Sequence, residues 1–223
     1  MDTSDKDKTL VREGYNQIAQ SYLQWTSDID KDSLRTKFLD KLLAKIEKPS
    51  TAKVLELGCG AGIPSTKILA DRCREVNAVD ISDAQIDMAK ANVTKDNVNF
   101  IRADMTELGF GDGSLAAVAA FYSILHLPRD EQAKMFKQIW NWLEPGGFLL
   151  CNLGVEDNPG KTADWLGTRM YWSGFDEKTN TANINDAGFA IVESEVLSDN
   201  EDGRLVPFQW VIATKNSSGA GLT

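Results

Sequence analysis

The sequence predicts an α/β fold built on a mostly parallel sheet, and three observations lead there. Short apolar runs alternate with helix-period segments between residues 53 and 152; a glycine loop stands between the first run and the first of those helices; carboxylates sit at or just past the ends of successive runs. The runs at 54–57, 76–79, 98–101, 116–122 and 148–151 read as strands, and the segments at 64–69, 83–93 and 129–143 read as helices. Such alternation joins parallel strands through right-handed crossovers and covers both faces of the sheet.

The flanking elements follow from the same periodicities. Within residues 9–25, Tyr15, Ile18, Tyr22 and Trp25 recur at spacings of three, four and three, which places them on one face of an amphipathic helix. A second helix covers 34–46, and Pro49 with Ser50 ends the helical section, because proline disfavours helical geometry before it and donates no backbone hydrogen bond. Past 154 comes a loop rich in Gly, Asp and Trp to about 176, then a helix at 176–187. Strands at 190–196 and 208–214, separated by a polar turn at 199–203, predict a hairpin-like antiparallel end to the sheet. Residues 1–48 hold nine acidic and nine basic side chains, which sets them apart as a separable helical segment from a domain at 49–215, with 216–223 as a flexible tail.

Composition bounds the function. A chain of 223 residues with 42% hydrophobic and 26% charged side chains can bury one substantial core, which excludes disordered and disulfide-stapled classes. The longest mostly apolar stretch, 115–125, is far short of the roughly 20 residues that span a bilayer, and the charged N-terminus is not signal-like. A cytoplasmic protein without a membrane partner is expected. Cys59, Cys73 and Cys151 are odd in number and lack paired metal-ligand spacing, so a reducing compartment and no metal site are expected. A net charge of -9, with Lys and Arg scattered, repels polyanions and argues against nucleic acid.

The chemistry starts at Glu56-Leu57-Gly58-Cys59-Gly60-Ala61-Gly62-Ile63-Pro64, a strand entering a glycine loop and then a helix. Glycines permit sharp turns and close ligand approach, and a helix start offers unpaired amide donors; a tight strand-to-helix turn is the competing reading. Ile63 fills the place where a dinucleotide fingerprint needs its third glycine, which disfavours NAD. Asp80 ends the second strand, where its carboxylate can accept from both ribose hydroxyls of an adenosine or, with Ser82, cap the next helix. Ile81 would then lie against the adenine. Asp104, after the third strand, either accepts from an exocyclic amine or is an ordinary loop aspartate.

Residues 56–62, Ala78-Val79-Asp80-Ile81-Ser82 and Arg102-Ala103-Asp104-Met105 resemble successive motifs of the class I S-adenosylmethionine-dependent methyltransferases. The likeness covers roughly residues 10–215. It implies a Rossmann-like seven-stranded sheet whose last strand is inserted antiparallel. It also implies S-adenosylmethionine as cofactor, with Gly58, Cys59, Gly60 and Gly62 along the methionine part, Asp80 on the ribose, and Ile81, Asp104 and Met105 at the adenine. Glu56 would brace the loop near the ligand's ammonium group.

Residues 122–131 and Trp142-Leu143-Glu144-Pro145-Gly146-Gly147 resemble the small-molecule branch of that family, active in methylation within secondary metabolism. Phe121, Tyr122, Ser123 and Ile124 replace the Asn/Asp-Pro-Pro-Tyr/Phe tetrad of its amide- and amine-methylating members, which favours a small organic acceptor. His126, the only histidine, falls at the carboxyl edge of the sheet, where it can act as general base or simply shape the pocket. Tyr122 joins it as a catalytic candidate. Trp165, Met170, Tyr171 and Trp172 stand where an acceptor wall would lie, with core packing as the alternative. The resemblance implies that residues 1–48 form a lid, in which Tyr15 and Tyr22 either close over the cofactor or simply dock the first helix. A non-methylating enzyme that keeps the cofactor pocket, or a non-catalytic binder, remains the rival reading.

Overall fold

The computed structural model describes residues 3–29, 33–201 and 203–216. Two helices lead, α1 (Thr3–Ile29) and α2 (Leu34–Lys45), the second capped by Ser33, whose hydroxyl accepts from the Thr36 amide. Then come β1 (Lys53–Leu57), α3 (Ser65–Arg72), β2 (Glu75–Asp80), α4 (Asp83–Asn92), β3 (Val98–Arg102), β4 (Leu115–Ala120) and α5 (Arg129–Trp142). The chain closes with β5 (Leu143–Gly154), β6 (Asn158–Trp165), β7 (Thr168–Gly174), α6 (Glu177–Asp186), β8 (Phe189–Glu201) and β9 (Arg204–Lys215).

Seven strands form one sheet in the order β3-β2-β1-β4-β5-β9-β8. β1 to β5 pair in parallel, and β9 runs antiparallel to both β5 and β8, as the resemblance implies. The order reverses between β1 and β4, so their carboxyl ends diverge around a crevice, the position at which open α/β sheets bind ligands. β4, at the centre, is apolar throughout because both of its faces are covered: every one of its residues is buried. Phe38, Leu42, Leu69 and Ile86 from α2, α3 and α4 cover one face, and Met135, Phe136, Ile139 and Ile184 from α5 and α6 cover the other.

Four expectations are corrected. Phe121 and Tyr122 lie beyond β4, because Tyr122 turns the chain at φ 51° and its amide donates to Asn152 Oδ1. β5 begins at Leu143 and carries Pro145–Gly147 as an irregularity in its pairing with β4. The segment past 154 is no loop: β6 and β7 form their own hairpin, turned at Leu166 and Gly167, which adopt φ 49° and 84°. Leu-Gly lacks the Asn or Asp that usually announces such a turn. The polar turn expected at 199–203 is mostly strand, since β8 runs to Glu201 and β9 starts at Arg204. Most of the expected tail, 217–223, lies outside the described residues.

α1 lies across the carboxyl edge of the sheet. Its Asn16 accepts from Ser82 Oγ at 2.7 Å and from the Ala84 amide at 3.2 Å, which ties it to the start of α4. Gly14 brings it against β7: a Cβ there would stand 2.6 Å from Met170 Sδ and 3.2 Å from the Arg169 carbonyl oxygen. Among the described residues, no helix is long and apolar enough to cross a membrane. Gly14→Val should therefore lower stability by about 1–3 kcal/mol through overpacking, seen as a lower urea midpoint at unchanged slope.

Candidate active site

The loop after β1 is shaped by where its main-chain groups find partners. The Gly58 and Cys59 amides both donate to the Val79 carbonyl, at 2.8 and 2.9 Å, so the loop folds over the end of β2. Gly58 sits at φ 76°, and a Cβ there would lie 2.5 Å from that of Ser123, so a side chain is excluded by both conformation and space. Gly60 and Gly62 also have positive φ. Cys59 is buried, and its thiol, raised well above its usual pKa by burial, points to the Gly60 carbonyl.

Asp80 closes this loop from below. Its Oδ2 accepts from the Gly60 amide and its Oδ1 from the Ser82 amide, both at 2.9 Å. Ser82, not Asp80, caps α4, accepting from the Gln85 amide. Burial raises the Asp80 pKa to about 6 against the pull of those amides. Glu56, also buried, accepts from Thr66 Oγ1 at 2.5 Å, and burial lifts its pKa to about 7, with Thr66 and Arg35 opposing.

A cleft of about 70 Å³ opens here, floored by Gly58, Gly60, Asp80 and Ile81 and roofed by Tyr15 and Tyr22 of α1. Met105 and Asp104 also border it. Gln85 was not singled out by the sequence, because a polar residue in the first turn of a helix reads as solvated. It is fully buried, lines this cleft, and among the described residues neither its Oε1 nor its Nε2 has a hydrogen-bond partner. An amide so placed can offer a polar ligand both a donor and an acceptor. Asp104 is differently placed from its expectation: Oδ1 accepts from Thr106 N and Oγ1, and Oδ2 pairs with Lys8 at 2.7 Å.

A second cavity of about 620 Å³ adjoins the cleft, and Tyr15, Tyr22, Tyr122 and His126 belong to both. His126 Nδ1 lies 2.7 Å from the Tyr171 carbonyl oxygen, which can only accept, so Nδ1 carries the proton. Nε2 then accepts from the Tyr15 hydroxyl at 3.0 Å. Burial lowers the His126 pKa to about 4, and the imidazole is neutral near pH 7. The Tyr122 hydroxyl, raised in pKa chiefly by burial, donates to Asp199 Oδ2 at 2.6 Å, so it anchors the β8–β9 arm and is not poised over the cleft as a proton carrier.

The aromatic wall divides in two. Trp165 and Trp172 line the large cavity, and Trp165 packs edge-on against Tyr15, Tyr22, Trp25 and Trp172. Met170 and Tyr171 do not line it. Met170 is fully buried beneath the hairpin at Gly14, and the pleat of β7 turns the Tyr171 ring to the opposite side from Trp172, beside Gly160. The sequence did not single out Arg35, whose guanidinium stands 5.0 Å from the Tyr122 ring centre on the cavity wall. Among the described residues, no group of three His, Cys, Asp or Glu side chains could hold a metal ion.

Residues 54–147 match a family model described as a methyltransferase domain. The sterol 24-C-methyltransferase of Neurospora crassa is 28% identical over 186 residues, 77% of this chain and 48% of that protein. The chain spans about half the length of the curated relatives it matches. A crystal structure of the Burkholderia thailandensis 1,6-didemethyltoxoflavin-N1-methyltransferase, with 1,6-didemethyltoxoflavin and S-adenosylhomocysteine bound, superposes with TM-score 0.74 at 18% identity, covering 97% of this chain and 92% of that one. The magnesium protoporphyrin IX methyltransferase of Synechocystis, with bound S-adenosylhomocysteine, gives 0.70 at 17%, covering 94% and 100%. These likenesses establish the fold.

Glu56 generates a pH dependence. Its folded pKa exceeds the unfolded value of 4.5, so the protonated form is favoured by folding: that contribution is complete below about pH 4.5 and is lost as pH rises through about 7. Glu56→Gln should remove this slope, so that the variant gains on the ligand-free parent from pH 5 to pH 8, by at most about 3 kcal/mol. Urea titrations across that range would show it; parallel pH profiles would contradict it.

Proposed function

Because the chain carries a methyltransferase domain on the class I fold, we propose that it binds S-adenosylmethionine in the glycine-loop cleft and passes the methyl group to a small organic acceptor in the adjoining cavity. The observation that carries this reading is the shared wall of Tyr15, Tyr22, Tyr122 and His126, across which a ligand in one cavity faces a ligand in the other. The orphaned Gln85 amide supports it, since ribose hydroxyls could satisfy both of its groups beside Asp80. In this reading Glu56, Gly58, Cys59, Gly60 and Gly62 flank the methionine part, and Ile81 and Met105 enclose the adenine. Of the expected lid at 1–48, α1 alone acts as the lid, because α2 packs through Phe38, Leu39, Leu42 and Leu43 into the core on one face of the sheet. When bound, the cofactor supplies an electrophilic methyl on a sulfonium.

The chain's own residues align the nucleophile, exclude water and take a proton. The Tyr15 oxygen faces the junction of the cavities while its proton is directed at His126 Nε2. An acceptor hydroxyl or N–H bonded to that oxygen can therefore lose its proton as Tyr15 hands its own to Nε2, and the Tyr171 carbonyl keeps the imidazole oriented. The aromatic lining suits a ring compound: the relatives above are named for a sterol, a porphyrin and didemethyltoxoflavin. The acidic balance argues against nucleic acid as acceptor.

S-adenosylhomocysteine should raise the melting temperature and NAD should not; Asp80→Ala should abolish the shift. Labelled S-adenosylmethionine with a panel of phenols, thiols, amines and carboxylates should label one class, with product heavier by one methyl. Turnover of unchanged mass would favour a non-methylating reaction. His126→Gln should slow methylation about 100-fold while leaving S-adenosylhomocysteine affinity intact.

A further inference from the structure

We propose that Lys8 is the catch that holds α1 down over the nucleoside, and that Asp104 serves to grip this lysine instead of reading the adenine amine. The proposal rests on the cofactor reading above. Lys8 Nζ stands 2.7 Å from Asp104 Oδ2 and 3.1 Å from Glu131 Oε2 and donates to Thr106 Oγ1 at 3.2 Å, so two carboxylates and a hydroxyl surround one ammonium. The three charged side chains are only 11%, 13% and 16% exposed, which shields the pairs from the screening that weakens surface ion pairs.

Asp104 has little left for a base. Its Oδ1 accepts from Thr106 N at 2.9 Å and Thr106 Oγ1 at 2.8 Å, fixing the turn Met105–Glu107, and Oδ2 takes the lysine. Thr106 donates its single hydroxyl proton to Asp104 and accepts from Lys8, so the cluster closes on itself. Ser4, one turn before Lys8, donates to the other Glu131 oxygen, so α1 grips α5 twice. Lys8, Val11 and Tyr15 share one face of α1 at spacings of three and four, and all three line the cleft. The catch therefore joins the roof of the cleft to the end of β3 and the first turn of α5. Burial works against the Lys8 charge, yet Asp104 and Glu131 hold its pKa above the ordinary lysine value.

Glu131 makes the test decisive, because it touches Lys8 but does not line the cleft. Release of S-adenosylhomocysteine and of S-inosylhomocysteine, which lacks the 6-amine, would be timed by stopped flow from the full chain and from K8M, K8R, D104N, E131Q and the K8M/D104N double variant. Expected are release of both compounds about tenfold or more faster in K8M and D104N, a smaller acceleration in E131Q, and near-parental release in K8R. The double variant should be no faster than the singles, and the preference for adenine over hypoxanthine should be unchanged throughout. Melting of the ligand-free variants would report any loss of folding separately. Loss of the adenine preference in D104N, multiplying effects in the double variant, or a silent E131Q would each overturn the catch. A parent chain that binds neither compound would instead sink the cofactor reading itself.

Discussion

The site depends on a buried carboxylate held by main-chain amides. Asp80 lies at the end of β2 with its oxygens committed to the Gly60 and Ser82 amides, and the burial that raises its pKa is the cost of that placement. Those two bonds set the height of the glycine loop over the sheet and the start of α4, and thereby the walls of the cleft. The Gly58 and Cys59 amides, both spent on Val79, fix the same loop from the other side. A loop so constrained cannot collapse onto the sheet edge, and main chain stays within reach of a ligand.

The segment after β4 links this floor to the larger cavity. His126 meets the Tyr171 carbonyl, Gln132 donates to Ser173 Oγ, and Arg129 donates to the Gly174 and Asn158 carbonyls, so three side chains spaced three residues apart stitch β7 and the base of its hairpin to the carboxyl edge of the sheet. The histidine placed at the junction of the cavities is thus also a fastener of the hairpin that carries Trp165 and Trp172. Orientation of the imidazole and position of the aromatic wall are one structural problem with one solution.

Much of this was legible because its causes are local. Apolar runs such as Leu115–Ala120 and glycines between strand and helix report sheet burial and loop shape directly, and Asp80 and Tyr15 stand on the cleft as their spacing requires. What was not legible depends on partners distant in the chain. The β6–β7 hairpin lacks a conventional turn signal and is held by residues 126–132. Met170 reads like Trp172 until Gly14 of α1 is seen to receive it. Asp104, an apparent ligand-binding carboxylate after a strand, is occupied by a lysine 96 positions earlier, and Gln85 announces itself only by being buried without a partner.

Tyr15 and Tyr22 roof the cleft and also wall the larger cavity, and Trp165 rests on both. Raising α1 from the sheet would part Tyr15 from His126 and withdraw the surface against which Trp165 packs. The larger cavity is therefore complete only while α1 lies on the sheet. Burial of aromatic area, more than any single hydrogen bond, drives that seating, since Tyr15, Tyr22, Trp25 and Trp165 form one contiguous cluster. The polar contacts of Asn16, Tyr15 and Lys8 then select where along the edge the helix settles. Apolar area supplies the adhesion and the hydrogen bonds supply the register, which is why one helix can wall both cavities accurately.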